Sequence, residues 1–447
     1  MTEAAMVSLT PVSGKARIEV LDVLRGLAIL GIFFMNIPYQ AASDANITNV
    51  HALSRNTADA ASWYVVRVVL EGTQRGLLEL LFGAGMMVFA ARGMAPDSPI
   101  AVADLYWRRN LWLLVFGLID IFLVLWAGDI LHVYALAALF LFPFRKLGPR
   151  LLLGLGVGLA LFVAVTGAFS YAERVDLHRR VEAAQAKQVL HVALADADKK
   201  ALEKWRKLVD ERRTGGQNAK ETAKAESKGR AGGLLPYAQL NWYYYTTLVF
   251  PSLVPSVIEA LCVMLTGVAL WKWRVVQGGR SAAFYITLML SCYAIAVPIR
   301  VGGAFDRLDP LPLPHVYAIT NEIGRITMSI GHLALVNLVM QARAGRRLLA
   351  PFKAAGRTAF SLYFLEQIIG LWILFAPWGP NLWNQLSWSQ INAIALVVIA
   401  ALLVVANLWL RVFAVGPLEW AWRSLCYLKR QPFRLSAARQ AALARAA

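Results

Sequence analysis

Ionisable side chains recur inside long apolar stretches of this sequence, and their chemistry is the first thing to account for. Arg25, Glu79, Asp120, Glu259, Glu322, Arg325, His332 and Glu366 all sit in such stretches. A charged side chain in hydrocarbon costs at least about 2.5 to 3.5 kcal/mol, so such groups face a protein interior or a wet cavity and take partners. Glu322 and Arg325 lie three apart, on one face of a helix, and read as a structural ion pair. Glu79, Asp120, Glu259, Arg325 and Glu366 form a set of intramembrane polar residues, suited either to fixing helix packing or to lining a proton or cation path. Arg25 differs in kind: near a helix end, its guanidinium can hold a phosphate bidentately or pair with Asp22 in the same turn.

A second group gathers where apolar stretches end. Asn36 closes the first stretch, His51 follows in the next loop, and GDILHVYA sets Asp129, His132 and Tyr134 at a tight connection. A histidine can act as general base near neutral pH, activating a hydroxyl or amine for attack on an acyl carbonyl, while a carboxylate such as Asp129 fixes its tautomer. His51 and His132 are thus the candidate bases, a merely solvated or hydrogen-bonded histidine being the plainer reading of each. Cys262, Cys292 and Cys426 lack metal-ligand spacing, and no HExxH, CxxC, Gly-rich phosphate loop or nucleophile elbow stands at a convincing place, so no metal is expected. FGAG at 82–85 reads as close helix packing through small residues.

The elements that must position these groups are transmembrane helices. Of 447 residues, 58% are hydrophobic and only 16% charged, against roughly 25% charged in soluble domains. A helix crossing about 30 Å of hydrocarbon needs about 20 apolar residues, and stretches near 20–38, 73–91, 110–127, 130–144, 150–170, 254–272, 281–299, 321–341, 357–376 and 390–412 predict ten. The fold class expected is therefore an all-α integral membrane protein of about ten transmembrane helices. Basic residues cluster in the N-terminal tail, around Arg92, Arg108 and Arg109, in RKLGPR from 145, KWRVVQGGR from 272, RAGRRLLAPFKAAGR from 343 and the C-terminal tail. These segments fall on one side, which the positive-inside rule makes cytoplasmic together with both termini. The net charge of +18 is explained by this topology rather than by nucleic-acid binding.

The exception is a polar, Ala/Glu/Lys/Arg-rich segment at 171–234, expected outside the cytoplasm as one or two solvated helices and a flexible tether. The chain then divides into five helices in 1–170, the insertion 171–234, an interfacial segment and five more helices in 235–425, and a basic tail, 426–447.

Five signatures occur in order: LDVLRGLAILGIFFMNI from Leu21, LLELLFGAGMMVFAAR from Leu77, GDILHVYAL from Gly128, GRTAFSLYFLEQ from Gly356 and GPLEWAWRSLCY from Gly416. With them the chain resembles the YeiB-like proteins, the domain-of-unknown-function family numbered 418. That family is similar in its membrane core to the transmembrane acyltransferase superfamily, whose members move an acyl group from cytoplasmic acyl-CoA to an acceptor across the membrane. The resemblance implies that Arg25 matches the acyltransferase-three arginine of the first helix. Eleven residues later that pattern has a histidine, where this chain has Asn36; the lysosomal branch also has Asn there and uses a histidine of the following loop, which His51 matches loosely. Family members commonly carry Ser in place of Glu79 and His in place of Asp120.

The expectation is a multi-pass protein of a bacterial inner membrane, in contact with membrane lipids, that transfers an acyl group from acyl-CoA or acetyl-CoA to a cell-envelope acceptor. In it Arg25 binds the donor, His51 or His132 is the base, Asp129 orients it and Asn36 donates to the oxyanion. The alternative is a transporter or channel for a small anion, lipid or antibiotic, using Glu79, Asp120, Glu259 and Glu366; a noncatalytic scaffold built on 171–234 is a third reading. Assembly into a homo-oligomer is left open.

Overall fold

The computed structural model describes residues 18–90, 100–214, 219–309 and 311–435. The basic residues of the N-terminal tail, Arg92 and the tail from 436 lie outside the described residues. Within them the chain is helical, its one β-bridge joining Phe413 to Arg434. The helices are α1 (Glu19–Ala41), α2 (Asp44–Thr48), α3 (Thr57–Val65), α4 (Thr73–Ala90), α5 (Ile100–Ile119), α6 (Leu131–Leu141), α7 (Pro149–Val189), α8 (Asp196–Thr214) and α9 (Ala219–Arg230). They continue as α10 (Leu234–Tyr244), α11 (Leu253–Lys272), α12 (Ala282–Leu308), α13 (Tyr317–Gln341), α14 (Arg343–Arg357), α15 (Ala359–Ile368), α16 (Trp388–Val412) and α17 (Pro417–Tyr427).

Six segments among the described residues are long and apolar enough to cross a membrane: α1, α7, the run from α10 through α11, α12, α13 and α16. The other expected crossings are shorter or carry charge. The helix expected over 130–144 is the 11-residue α6, about 16 Å long at 1.5 Å per residue, and α5 carries Asp104, Arg108 and Arg109. The 41 residues of α7 run about 60 Å, twice a hydrocarbon core, so its polar second half extends past any span. There it packs on α8, burying Leu177, Val181 and Ala201.

Burial orders the bundle. In α1, 72% of the apolar window is buried, against 17% in α12, so α1 is central and α12 peripheral. α1 packs on α14, α4 and α16, while α11 bridges α4 and α7. Glycines permit these approaches, since small residues let helix backbones touch. A Cβ on Gly83 would run into the carbonyl of Met264, and one on Gly267 into that of Leu80, so the FGAG stretch packs α4 directly on α11. α1 meets α14 in the same way, through Gly26 and Gly356.

Several helices loosen into a π-helical turn at one end: Val66–Leu70, Asp120–Val124, Tyr245–Val249 and Ile369–Leu374. Such turns leave carbonyls for side chains to bind. Asn241 Nδ2 donates to Ile121 O at 2.7 Å, Trp372 Nε1 donates to Val124 O at 2.7 Å, and Arg300 spans the carbonyls of Arg67, Val68 and Glu71.

A cavity beside the first helix and its buried polar floor

Arg25, Ile29 and Asn36 share one face of α1, because eleven residues make about three helical turns. At the lower end of this face lies a cavity of about 370 Å³, lined on α1 by Leu21, Asp22, Arg25 and Ile29. The remaining walls are Leu78 to Phe89 of α4, Tyr106 to Leu113 of α5, Ile130, Leu131 and Tyr134 around the start of α6, Gly356 to Tyr363 at the α14–α15 junction, and Glu419 to Tyr427 of α17. Each of the five sequence signatures therefore contributes a wall to one cavity.

Local interactions explain why. Glu419 reaches across to the start of α15, accepting from the Phe360 N–H at 2.7 Å, the Ser361 N–H at 3.2 Å and the Ser361 hydroxyl at 2.6 Å. A carboxylate there satisfies the orphan donors of a helix start and answers its dipole, and it ties GPLEW to GRTAF. Trp422 donates from Nε1 to Arg109 O at 2.9 Å and lies 4.4 Å under the Arg109 guanidinium, which joins α17 to α5.

The mouth is cationic and the interior apolar. Arg25, Arg109, Arg357 and Arg423 all border the cavity, outnumbering the acidic Asp22 and Glu419, and Ile29, Leu81, Phe82 and Met86 are among its apolar lining. Arg25 lies 3.3 Å from Asp22 and keeps about a third of its side chain exposed, so the two roles foreseen for it are compatible.

Beyond the cavity wall lies a buried polar cluster. Tyr363, which lines the cavity, donates from its hydroxyl to Asp129 Oδ1 at 3.2 Å and accepts from the Ile130 N–H at 3.2 Å. Asp129 Oδ2 accepts from the His132 backbone N–H at 2.8 Å and lies 2.9 Å from its ring Nδ1. This bond places the proton on Nδ1 and leaves a lone pair on Nε2, an atom that has no partner among the described residues. Asp120 sits beside Asp129. Both oxygens of Asp120, both of Glu366 and Nδ2 of Asn36 are likewise buried without a hydrogen-bond partner. Above them Gln40 Nε2 donates to Gln367 Oε1 at 2.5 Å, joining α1 to α15.

The structure does not bring all the expected site residues together. His51 is exposed, in the 3₁₀ turn Val50–Leu53, with its Nε2 3.4 Å from Leu308 O, and it shares no contact with His132. Glu79, Glu259, Glu322 and Arg325 form a separate buried network with Arg75. Arg75 Nε is 2.9 Å from Glu79 and its Nη2 2.9 Å from Glu259, while Arg325 reaches Glu79 at 3.0 Å, Glu259 at 2.5 Å and Glu322 at 2.6 Å. Two guanidiniums thus face three carboxylates. His332 is held by Tyr293 and the Val69 carbonyl, both at 2.9 Å. Arg75 and Arg300 did not stand out in the sequence, although Arg75 precedes Glu79 by the four residues that favour a helical ion pair. No group of side chains that could hold a metal ion occurs among the described residues.

Residues 270–429 match the family model described as "Protein of unknown function (DUF418)". The uncharacterized protein YxaH of Bacillus subtilis (strain 168) is 29% identical over 96% of this chain and 98% of its own length. An uncharacterized 39.9 kDa protein of Bacillus acidopullulyticus, from the amylase 3' region, is 24% identical over 96% and 99%. The uncharacterized protein YeiB of Escherichia coli (strain K12) is 24% identical over 91% and 95%. No solved structure matches the chain. The chain thus carries a match to the DUF418 model in its C-terminal part and is homologous to YxaH and YeiB along almost all of its length.

Proposed function

We propose that this protein is a membrane-bound acyltransferase that takes an acyl group from cytoplasmic acyl-CoA and passes it to an acceptor of the cell envelope. The observation that carries this reading is the convergence of five separated sequence signatures on one cavity with a cationic mouth, an apolar interior and a histidine–aspartate pair behind its wall. In this reading the Arg25 end of the bundle faces the cytoplasm of a bacterium, both termini lie on that side, and the shorter helices complete about ten crossings of the inner membrane.

The chemistry follows from the groups present. Arg25 and its neighbouring guanidiniums bind the phosphates of the donor, which positions the thioester in the apolar interior. His132 Nε2 removes the proton of an acceptor hydroxyl or amine, whose oxygen or nitrogen attacks the thioester carbonyl. Asn36 Nδ2 donates to the developing oxyanion. The carbon–sulfur bond then breaks, the new ester or amide remains on the acceptor, and the CoA thiolate takes up the proton held by His132. Asp129 keeps the imidazole in the required tautomer throughout.

The test is a thiol-release assay. Purified protein with labelled acyl-CoA and an envelope extract is expected to release free CoA and label a component of that extract, and His132→Gln is expected to abolish both. Absence of acyl-CoA binding and of label transfer in the wild type overturns the reading.

A transport reading has one observation in its favour, the buried carboxylates of Asp120, which sits beside Asp129, and of Glu366, whose oxygens have no hydrogen-bond partner among the described residues. Glu79 and Glu259 lend it less, since arginines hold both. Proteoliposome uptake that is lost in Asp120→Asn and needs no acyl-CoA would favour it.

A further inference from the structure

A second, smaller cavity lies toward the other end of α1, about 14–21 Å from Arg25 along the helix at 1.5 Å per residue. Its volume is about 90 Å³, and Phe34, Met35, Pro38 and Tyr39 of α1 border it. Phe34 and Pro38 leave α1 on the face away from Arg25, and the buried Ile32 and Phe33 lie on the helix between the two cavities. It is therefore a separate site.

Its lining combines aromatic walls with unsatisfied donors. Trp63, Trp388 and Tyr39 supply the walls. Asn392 lines it with a side chain 7% exposed, and its Nδ2 has no hydrogen-bond partner among the described residues. A buried amide left unpaired costs about 1–3 kcal/mol unless something accepts from it. Arg307 also lines the cavity and forms no ion pair or hydrogen bond among the described residues, whereas Arg67 is paired with Glu71. The balance is one uncompensated positive charge.

The surroundings hold this geometry in place. Arg300 binds the carbonyls of Arg67, Val68 and Glu71, fixing the turn that presents Arg67 and Glu71. Trp388 Nε1 donates to Val50 O at 2.9 Å, which locks one wall to the segment 44–53. Arg212 of α8 clasps the carbonyls of Asp306 and Asp309 on either side of Arg307. From α9, Glu226 accepts from the Asp44 N–H at 2.9 Å and the Tyr244 hydroxyl at 2.6 Å, so the polar helices brace the rim.

We propose that this cavity binds a saccharide unit bearing one negative charge, with Arg307 on the anion, Asn392 donating to a hydroxyl or ring oxygen, and the aromatic rings against the sugar's apolar face. A lone phosphate satisfies the guanidinium and leaves the aromatic walls unused; a neutral sugar leaves the charge unused. The cavity admits one unit, and the rest of a larger molecule remains outside. The two cavities share no lining residue, so this assignment stands apart from the acyl-transfer reading.

The experiment is calorimetric titration of the full-length protein in lipid nanodiscs, without any acyl donor. The probes are glucuronate and glucose 6-phosphate, compared with glucose and inorganic phosphate. The two charged sugars are expected to bind at least tenfold more tightly than either control, and Asn392→Leu and Arg307→Gln are each expected to weaken them at least tenfold, with Arg307→Lys restoring part of the loss. Unchanged thermal unfolding of the variants establishes that they fold. No binding of either charged sugar, equal binding of inorganic phosphate, or affinities indifferent to both variants overturns the proposal. Because no donor is present, those results leave the donor cavity untouched, and a failure of acyl transfer leaves this site standing.

Discussion

Gly26 and Gly356 meet across the contact of α1 with α14, and a Cβ on either would run into backbone of the other helix, Phe352 O for Gly26 and Asp22 O for Gly356. This contact sets Arg25 and Arg357 at the same cavity mouth. Gly26→Val or Gly356→Val is therefore expected to force the helices apart, at a cost of at least the 1–3 kcal/mol typical of overpacking. Gly85→Ala is the control, since nothing lies within 4 Å of a Cβ there. Thermal unfolding in detergent should rank both valine variants well below the control. Equal stability of the three would refute the close approach.

Tyr363, Asp129 and His132 act as a unit behind the cavity wall. In the acyltransferase reading, Asp129→Asn removes the acceptor that holds the imidazole proton on Nδ1, and His132→Gln removes the base; each is then expected to lower acyl transfer by about 10²–10⁴-fold. Tyr363→Phe keeps the ring in place and removes one donor to Asp129, with an expected loss of about tenfold. The rate of CoA release at saturating donor reports all three. If His51→Gln lowers that rate and His132→Gln does not, the base is the wrong histidine.

What could be read from the sequence was local. Asp129 and His132, like Glu322 and Arg325, are three residues apart, and the structure pairs them because one helical turn brings such neighbours together. Spacing says nothing of partners far along the chain. Tyr363 on Asp129, Arg325 on Glu79 and Glu419 on Ser361 become visible only once helices pack. For the same reason Asn36, His51 and His132 looked like one group, since each follows the end of an apolar stretch, yet His132 is buried near the larger cavity and His51 is exposed. An apolar stretch does not disclose the π-helical turns at Asp120 and Ile369, which end α5 and α15 early.

The Arg75–Arg325 network should matter for stability more than for turnover. Arg325→Met strands Glu79, Glu259 and Glu322 without their shared cation, and stranding buried charge costs about 3–5 kcal/mol. Glu259→Gln is milder, because Glu259 is the more exposed of the three carboxylates and its loss leaves two cations facing two anions. Denaturation in detergent, followed by tryptophan fluorescence, should place Arg325→Met well below Glu259→Gln. The opposite order would mean that the network does not hold these helices.

Asp59 makes one part of stability depend on pH. Burial raises its pKa, but the hydroxyls of Ser387 and Ser389 and the N–H groups of Ser389 and Arg55 outweigh that effect and hold the carboxyl below the ordinary range. Its contacts from Ser389 N–H at 2.9 Å and Arg55 N–H at 2.8 Å join α3 to the start of α16. A group whose pKa is lower folded than unfolded stabilises the fold above its unfolded value, about 3.9, and loses that contribution as pH falls through the folded value. Wild type is thus expected to melt several degrees above Asp59→Asn at pH 7, the gap narrowing below about pH 4. A gap that is constant from pH 7 to pH 3 would show that the Asp59 charge contributes nothing.

Gly85 offers a way to test the cavity without disturbing its walls. It borders the apolar interior, and a Cβ added there meets open space. Gly85→Ala replaces a poor helix former with the best one, so it is expected to stabilise α4 by up to about 1 kcal/mol while taking little volume. Gly85→Phe points a ring into the 370 Å³ space that, in the acyltransferase reading, receives the acyl chain. Long chains should then be excluded before short ones, because the cationic mouth that binds the phosphates is unchanged. The ratio of palmitoyl-CoA to acetyl-CoA turnover is expected to fall at least tenfold from Gly85→Ala to Gly85→Phe, with most of the change in KM for the long donor. A ratio indifferent to the ring would mean that the chain does not pass through this cavity.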